Sequence, residues 1–364
     1  MGESPRYKEA ALMSSLATRS HPIPPPPVQG GPAQRVRLPI GSPSFWAKAT
    51  AFFVFPLIWA GGLVTTHDAG MAVPDWPGTF GYNLLAYPLS TWLFGPFDLF
   101  VEHGHRLLGA LVGFLSILLL AATYQSRSFR PLRPWAYALL LSVIVQGALG
   151  GIRVLAIERK IALIHGCTGP LVFALACYVV IRAGRLRREF DVAGVEQKAV
   201  LERRPRFGKL RLFAAAVAVA TFGQLVLGAS LRHAEVSMLP SQFMALTHMH
   251  LTGAVVILGS VAGLFAWVIL RRRRLDSPPA VRLAWILMVL VLAQVALGCG
   301  TWFVNYALPW DVQWPTLAAH VNQLKGFWES MIVTAHQAVG SLILVTAFVL
   351  AVRLSEIHEQ PHVS

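Results

Sequence analysis

Eight long apolar stretches constrain this chain more than any other feature. Each has roughly 17–25 residues, the length that an α-helix needs to cross the hydrocarbon core of a bilayer. Only 13% of the residues are charged, about half the share usual in a soluble domain. The sequence therefore predicts an all-α integral membrane protein, with transmembrane helices near residues 47–66, 103–123, 135–153, 163–182, 211–232, 247–270, 283–304 and 331–352.

The basic residues are distributed unevenly between the two ends of these spans. Of 31 Lys and Arg residues, 25 lie in the N-terminal segment, in the loops after the second, fourth and sixth spans, or near the C-terminus. Cytoplasmic loops carry such an excess, so both termini are predicted to be cytoplasmic, in the cell (plasma) membrane. The net charge of +14 then reflects membrane topology, and the expected partner is the lipid bilayer and not nucleic acid.

A long basic segment divides the chain into two halves of four spans each. The prediction is two tandem, pseudo-symmetric four-helix bundles at 46–182 and 211–353, joined by a basic cytoplasmic linker at 183–210. Residues 1–45 contain "HPIPPPP" and no apolar signal region, which predicts a disordered cytoplasmic tail, and residues 354–364 are a second tail. The three cysteines, Cys167, Cys177 and Cys299, lie in the spans and predict no structural disulfide.

The odd-numbered spans share a Gln-x-x-Leu-Gly motif or its remnant. It reads "QGALGGIRV" from Gln146, "QLVLGASLRH" from Gln224 and "QVALGCGTWF" from Gln294, with a looser version, "WAGGLVTTH", from Trp59. A glycine at this depth lets a neighbouring helix or a flat ligand approach the backbone closely.

The even-numbered spans each carry a histidine near the same end. A glycine follows one turn later in the pairs His105 and Gly109, His165 and Gly169, and His336 and Gly340. The sixth span offers two candidates, His248 and His250, of which His250 with Ala254 fits the spacing better. Facing imidazoles from neighbouring helices hold an iron porphyrin inside a bundle. Four such histidines in register favour haem over zinc or copper, whose sites usually recruit Cys or carboxylates at short range.

The second span begins with the unusually polar stretch "EHGHR". His103 and His105 are two residues apart and point to nearly opposite faces, so only one of them can face the bundle. Glu102 shares a face with His105, which favours His105 and places a carboxylate beside any ligand that it binds. Two interpretations of Glu102 stay open, a functional carboxylate or an acidic residue stabilised by the helix dipole. Arg106 is open in the same way, between pairing with a haem propionate and a cation snorkelling to the interface.

These residues resemble those of the haem A synthase family (CtaA/Cox15 type). The family's Glu-x-x-His-Arg motif matches residues 102–106, and "GGLVTTHDAGMAVPDWP" from Gly61 resembles its first-loop signature. The resemblance implies an oxidoreductase that converts the C8 methyl group of haem O to the formyl group of haem A, for cytochrome c oxidase assembly.

The same resemblance implies roles for individual residues and partners. His250 or His248, together with His336, would ligate haem b in the second half. His105 and His165, with Arg106, would bind the substrate haem O in the first half, and Glu102 would be catalytic. A haem O synthase as the source of substrate, an electron donor and a homo-oligomer are the implied partners, with the haem sites near the extracytoplasmic face.

The sequence departs from the family pattern in two loops. Several members have a cysteine pair in the first outer loop, which is missing here, and the usual Thr-Gly-Ser-Gly is replaced by Thr-His-Asp-Ala-Gly at 66–70. The final outer loop, 305–330, contains Trp310, Trp314 and Trp328, which are expected to cap the haem b site. Two alternatives stay open: a two-haem cytochrome b that only transfers electrons, and a haem-binding transporter or chaperone.

Overall fold

The computed structural model describes residues 41–191, 207–234, 237–306 and 326–357. In these ranges eight helices are long and apolar enough to cross a membrane, which confirms the prediction of a multi-pass α-helical membrane protein. We number them α1 to α8: Pro43–Thr66, Phe97–Gln125, Arg133–Ala156, Arg159–Asp191, Gly208–Arg232, Pro240–Leu270, Pro278–Tyr306 and Phe327–Ser355.

Most of the helices extend beyond the apolar stretches that predict them. α4 runs to Asp191, into the predicted linker, of which residues 192–206 lie outside the described residues. α8 begins at Phe327, so Trp328 lies in its first turn and is 76% exposed. Trp310 and Trp314 lie outside the described residues, and their predicted capping role stays a prediction. The helices continue because hydrogen bonding within the backbone does not stop where the apolar side chains end.

Three clusters of buried apolar side chains hold the helices together. One joins α5, α6, α7 and α8 through residues such as Leu210, Leu264 and Leu287. A second joins α1 to α4, and a third, which includes Val54 and Val345, connects α1, α2 and α4 to α8. This grouping supports the two predicted bundles, whose pseudo-symmetric arrangement stays a prediction.

The segment between α1 and α2 forms an ordered outer loop, which we define as residues 67–96. Asp75 closes a tight turn within it, because its carboxylate accepts hydrogen bonds from the backbone N–H groups of Phe80 and Gly81, both at 2.8 Å. Partial burial alone would raise the pKa of Asp75, but these two amides and the nearby Arg106 guanidinium hold that pKa below its usual value. The loop thus has a defined shape where it meets α2 and α3.

Candidate functional site

Four of the predicted histidines meet as two pairs. The imidazole of His105 on α2 faces that of His165 on α4, with ring centroids 6.3 Å apart and planes at 90°. His250 on α6 faces His336 on α8 in the same way, at 6.4 Å and 73°. All four histidines are half-buried.

The ring separations fit one metal ion between each pair of imidazoles. An imidazole nitrogen bonds a metal at about 2.0 Å and lies about 1.1 Å from its ring centre, so two rings on opposite sides of one ion have centroids roughly 6 Å apart. The observed 6.3 and 6.4 Å agree with this distance. Within the described residues, His, Cys, Asp and Glu side chains form no group of three that could hold a metal ion. Each pair would suit an iron porphyrin, whose iron takes two imidazole ligands when bound.

The repeated glycines of the odd-numbered helices pack directly against these imidazoles. A Cβ atom added at Gly61, Gly150, Gly228 or Gly298 would lie 2.9, 3.3, 3.0 or 3.1 Å from Cε1 of His105, His165, His250 or His336, respectively. Any larger residue would press on the ring. The sequence motif therefore marks the seat of a histidine on the neighbouring helix, one glycine for each imidazole.

The glycines one turn after the histidines have less uniform surroundings. A Cβ added at Gly169 would meet nothing within 4 Å, and one at Gly109 would meet only Leu57, at 4.0 Å. At Gly340, in contrast, the side chain of Leu225 lies 2.9 Å from the added atom. The position one turn after His165 is therefore open, whereas the equivalent position one turn after His336 is filled.

The Nδ1 atoms of the four histidines differ in their hydrogen bonds. Nδ1 of His105 lies 3.2 Å from the carbonyl oxygen of Leu57, where it can only donate. This contact selects the tautomer that leaves Nε2 unprotonated, as an iron ligand must be. The amide of Gln224 lies 3.1 Å from Nδ1 of His250. Within the described part of the chain, no hydrogen bond reaches the buried Nδ1 atoms of His165 and His336.

The structure places the two histidines of each ambiguous pair differently, and their roles as ligands stay predictions. His250 belongs to the α6–α8 pair, while His248 is exposed. His103 is buried on the other face of α2 from His105, where its Nδ1 lies 2.9 Å from Oγ1 of Thr79 and its ring contacts Tyr87 and Trp92. His103 thus packs under the outer loop and does not join a pair.

Glu102 and Arg106 connect α2 to the outer loop. Glu102 is 1% exposed, and its carboxylate accepts hydrogen bonds from the backbone N–H of Val73 at 3.0 Å and from Arg106 at 2.9 Å. The Arg106 guanidinium also donates to the backbone carbonyls of Val73, Asp75 and Gly78, at 2.6 to 2.8 Å. We call this set of contacts the loop clamp. The loop clamp gives Glu102 and Arg106 a structural role, the fixing of the outer loop on α2. This role differs from the helix-dipole interpretation of Glu102 and from the snorkelling interpretation of Arg106.

Sequence reasoning missed two further arginines at the ends of odd-numbered helices. Arg153 on α3 lies 4.0 Å from the Glu102 carboxylate and fills the space where a side chain at Gly70 would be. Arg232, the last residue of α5, donates hydrogen bonds to the carbonyl of Gly62 and to the side chains of Thr66 and Gln337. The signal was present in "GGIRV" and "ASLRH", since each places one arginine three or four residues after the glycine of the repeated Gln-x-x-Leu-Gly motif.

The Asp-Trp-Pro sequence at residues 75–77 shapes the outer loop and packs it against α3. Asp75 closes the turn described above, and the Trp76 ring occupies the space where a Cβ at Gly151 of α3 would lie. Glycine is thus required at 151 for the loop to settle on α3. The loop, α2 and α3 together enclose the Glu102 carboxylate.

The sequence matches the family model COX15-CtaA, described as cytochrome oxidase assembly protein, over residues 44–321. The chain belongs to this family. Membership in the cytochrome oxidase assembly protein family confirms the resemblance to haem A synthases predicted from the sequence. The matched range contains His105, His165 and His250 and ends before His336.

Relatives in the cytochrome oxidase assembly protein family carry a common name. A protein of Symbiobacterium thermophilum named Heme A synthase is 29% identical over 195 residues, which cover 52% of this chain and 58% of the relative. Proteins of the same name from Listeria monocytogenes and Listeria innocua are each 28% identical over 142 residues, covering 38% of this chain and 43% of the relative. The chain thus spans about half the length of the curated relatives it matches.

Proposed function

We propose that this protein is a haem A synthase-like oxidoreductase that converts the C8 methyl group of haem O to the formyl group of haem A, for cytochrome c oxidase. One observation carries the proposal: two pairs of facing imidazoles, at 6.3 and 6.4 Å, in a membrane bundle. The family and the printed name of its relatives support the haem chemistry proposed for these pairs.

The two pairs have different tasks in this proposal. His250 and His336 hold haem b, which when bound would supply an iron centre that exchanges electrons. His105 and His165 bind the substrate haem O, and the open space beside Gly169 supports this assignment because a substrate has to enter and leave. The hydrogen bond from His105 to Leu57 orients one imidazole toward that substrate.

Oxidation of the haem methyl group releases protons inside a buried site. Conversion of a methyl to a formyl group replaces two C–H bonds by one C=O bond and removes four electrons; if water supplies the oxygen, four protons also leave. Glu102 is the proposed catalytic residue that accepts them, because it is a carboxylate one helical turn from His105. Arg106 holds that carboxylate in place. The electrons require a redox partner, and a haem O synthase would supply the substrate.

The charge distribution supports a location for this chemistry. We place the histidine pairs near the extracytoplasmic face of the plasma membrane, because the loops at the opposite end carry most of the basic residues. A homo-oligomer is compatible with this orientation.

Haem extraction from cells tests the proposal. The chain is expressed in a host that makes haem O but no haem A, and the haems are separated by chromatography. Haem A, or its hydroxymethyl precursor, should appear with the native chain and be absent with His105→Ala or His165→Ala. A protein that binds haem b but yields neither product would be an electron-transfer cytochrome b instead, and the proposal would be wrong.

A further inference from the structure

Arg232 lies at the junction of α1, α5 and α8, which carry Gly61, Gly228 and His336, respectively. It ends α5, and its guanidinium donates to the backbone carbonyl of Gly62 on α1 at 2.6 Å, to the hydroxyl of Thr66 and to the amide oxygen of Gln337 on α8. The Thr66 hydroxyl is in turn 3.1 Å from that of Thr334. Every one of these partners is uncharged.

The charge of Arg232 has no counter-ion among the described residues. In the first half, by contrast, the Glu102 carboxylate lies 2.9 Å from Arg106 and 4.0 Å from Arg153. A cation in a membrane bundle is costly unless it is paired or hydrated. The C-terminal end of α5 offsets part of this cost, since a helix terminus carries roughly half a negative charge. None of the described residues supplies a full anionic partner at this position.

The position of Arg232 relates it to the second histidine pair. It follows Gly228, the seat of His250, by one helical turn, and its acceptor Gln337 is the residue next to His336. Arg232 is half-buried. It therefore lies one turn from the glycine under His250 and in hydrogen-bond contact with the neighbour of His336.

We propose that Arg232 binds a carboxylate carried by the porphyrin, a propionate of the haem held between His250 and His336. This inference rests on the proposed haem binding at that pair. A haem brings two carboxylates into a protein, and a guanidinium fork matches a carboxylate with two parallel hydrogen bonds. The propionate would supply an anion that none of the described residues places beside Arg232. Arg232 then fixes the rotation of the macrocycle, which the two axial imidazoles leave free.

Binding of two porphyrins to the full-length protein tests this site. The purified chain, prepared without haem in detergent, is titrated with iron protoporphyrin and with its dimethyl ester, which has the same ring and no free carboxylate. The wild type should bind the free acid at least tenfold more tightly. Arg232→Gln should lose this preference, and Arg232→Lys, which keeps the charge but not the fork, should keep part of it. Arg211→Gln is the matched control, because Arg211 is an exposed arginine at the opposite end of the same helix.

The outcomes separate this inference from the function on which it rests. Equal affinity of the wild type for both porphyrins overturns the propionate site, even if the Arg232 variants do not fold. An equal loss of affinity for both porphyrins in Arg232→Gln also overturns it, because Arg232 would then only hold α1, α5 and α8 together. A third outcome separates the two proposals. If the chain makes no haem A, but the wild type prefers the free-acid porphyrin and Arg232→Gln does not, the propionate site stands and the synthase function is wrong.

Discussion

Glu102 has a structural role and a proposed chemical role. It holds the outer loop, and it is the proposed proton acceptor of the reaction. It receives a backbone amide of the outer loop and the Arg106 guanidinium. A carboxylate offers about four acceptor positions, so these two contacts leave capacity for a proton from a substrate. The two roles must be separated by a variant that loosens the loop without altering Glu102.

Glu102→Gln and Asp75→Asn form such a comparison. Glu102→Gln removes the proton acceptor and also leaves Arg106 without its ion pair, a change that costs about 3–5 kcal/mol when the pair is buried. Asp75→Asn weakens the turn of the same loop and keeps Glu102. We expect haem A to fall sharply in Glu102→Gln, with haem O or a partly oxidised haem accumulating, and to stay near normal in Asp75→Asn, as measured by chromatography of extracted haems.

The haem b spectrum serves as the control for both variants. It should be unchanged, because its proposed ligands come from α6 and α8. An equal loss of haem A in the two variants would assign Glu102 to the loop clamp alone.

The choice between His248 and His250 yields a second prediction. Two imidazoles give iron a low-spin spectrum, so His250→Ala and His336→Ala should each abolish the low-spin haem b signal. His248→Ala should retain it, since His248 is exposed and outside the pair. Optical spectra of the three purified variants decide this, and a full low-spin signal in His336→Ala would remove the proposed haem b site.

Sequence periodicity predicted the histidines but not their surroundings. His105, His165 and His336 could be found because one repeat places each at the same depth of its helix. The clamp could not be found, because it depends on the backbone amide of Val73, and loop conformation leaves no periodic signal. Arg153 and Arg232 were missed because a lone arginine near the end of a span resembles an ordinary interface anchor.

At the level of helices, the site is built from odd and even partners. An odd-numbered helix supplies a glycine and the even-numbered helix after it supplies the imidazole that rests on this glycine. Close approach of the two backbones sets the position of the ring, as small residues do between membrane helices. The histidine positions therefore depend on glycines of the neighbouring helices.

Two glycines of α5 test this arrangement. A Cβ at Gly228 would lie 3.0 Å from Cε1 of His250, whereas one at Gly223 would meet nothing within 4 Å. We expect Gly228→Ala to displace the ring and reduce haem b content, and Gly223→Ala to be neutral or to stabilise the helix by about 0.5–1 kcal/mol. Haem content per protein and thermal unfolding measure the two effects. Equal haem content in both variants would contradict the seat proposed for His250.

On the scale of the whole molecule, charge and helix count predict one orientation. The outer loop should face the extracytoplasmic side and both termini the cytoplasm. A cysteine introduced at Tyr82, which is 52% exposed, should react with a membrane-impermeant maleimide in intact cells, and one introduced at exposed Arg273 should react only after lysis. The background is measured on the native chain, which has three cysteines. The reverse pattern would place the histidine pairs on the cytoplasmic side.

The unequal packing beside the two histidine pairs has a consequence for residence times. A Cβ at Gly169 meets nothing within 4 Å, whereas the space at Gly340 is occupied by Leu225 at 2.9 Å and Gln294 at 3.4 Å. Differences in affinity between related sites arise mostly in the dissociation rate, so a porphyrin bound in the first half should escape much sooner than one in the second. Transfer of haem from the loaded protein to apomyoglobin should accordingly proceed in two phases, and only the slow phase should disappear in His336→Ala. The first half would then exchange its porphyrin rapidly, and the second half would keep its porphyrin bound.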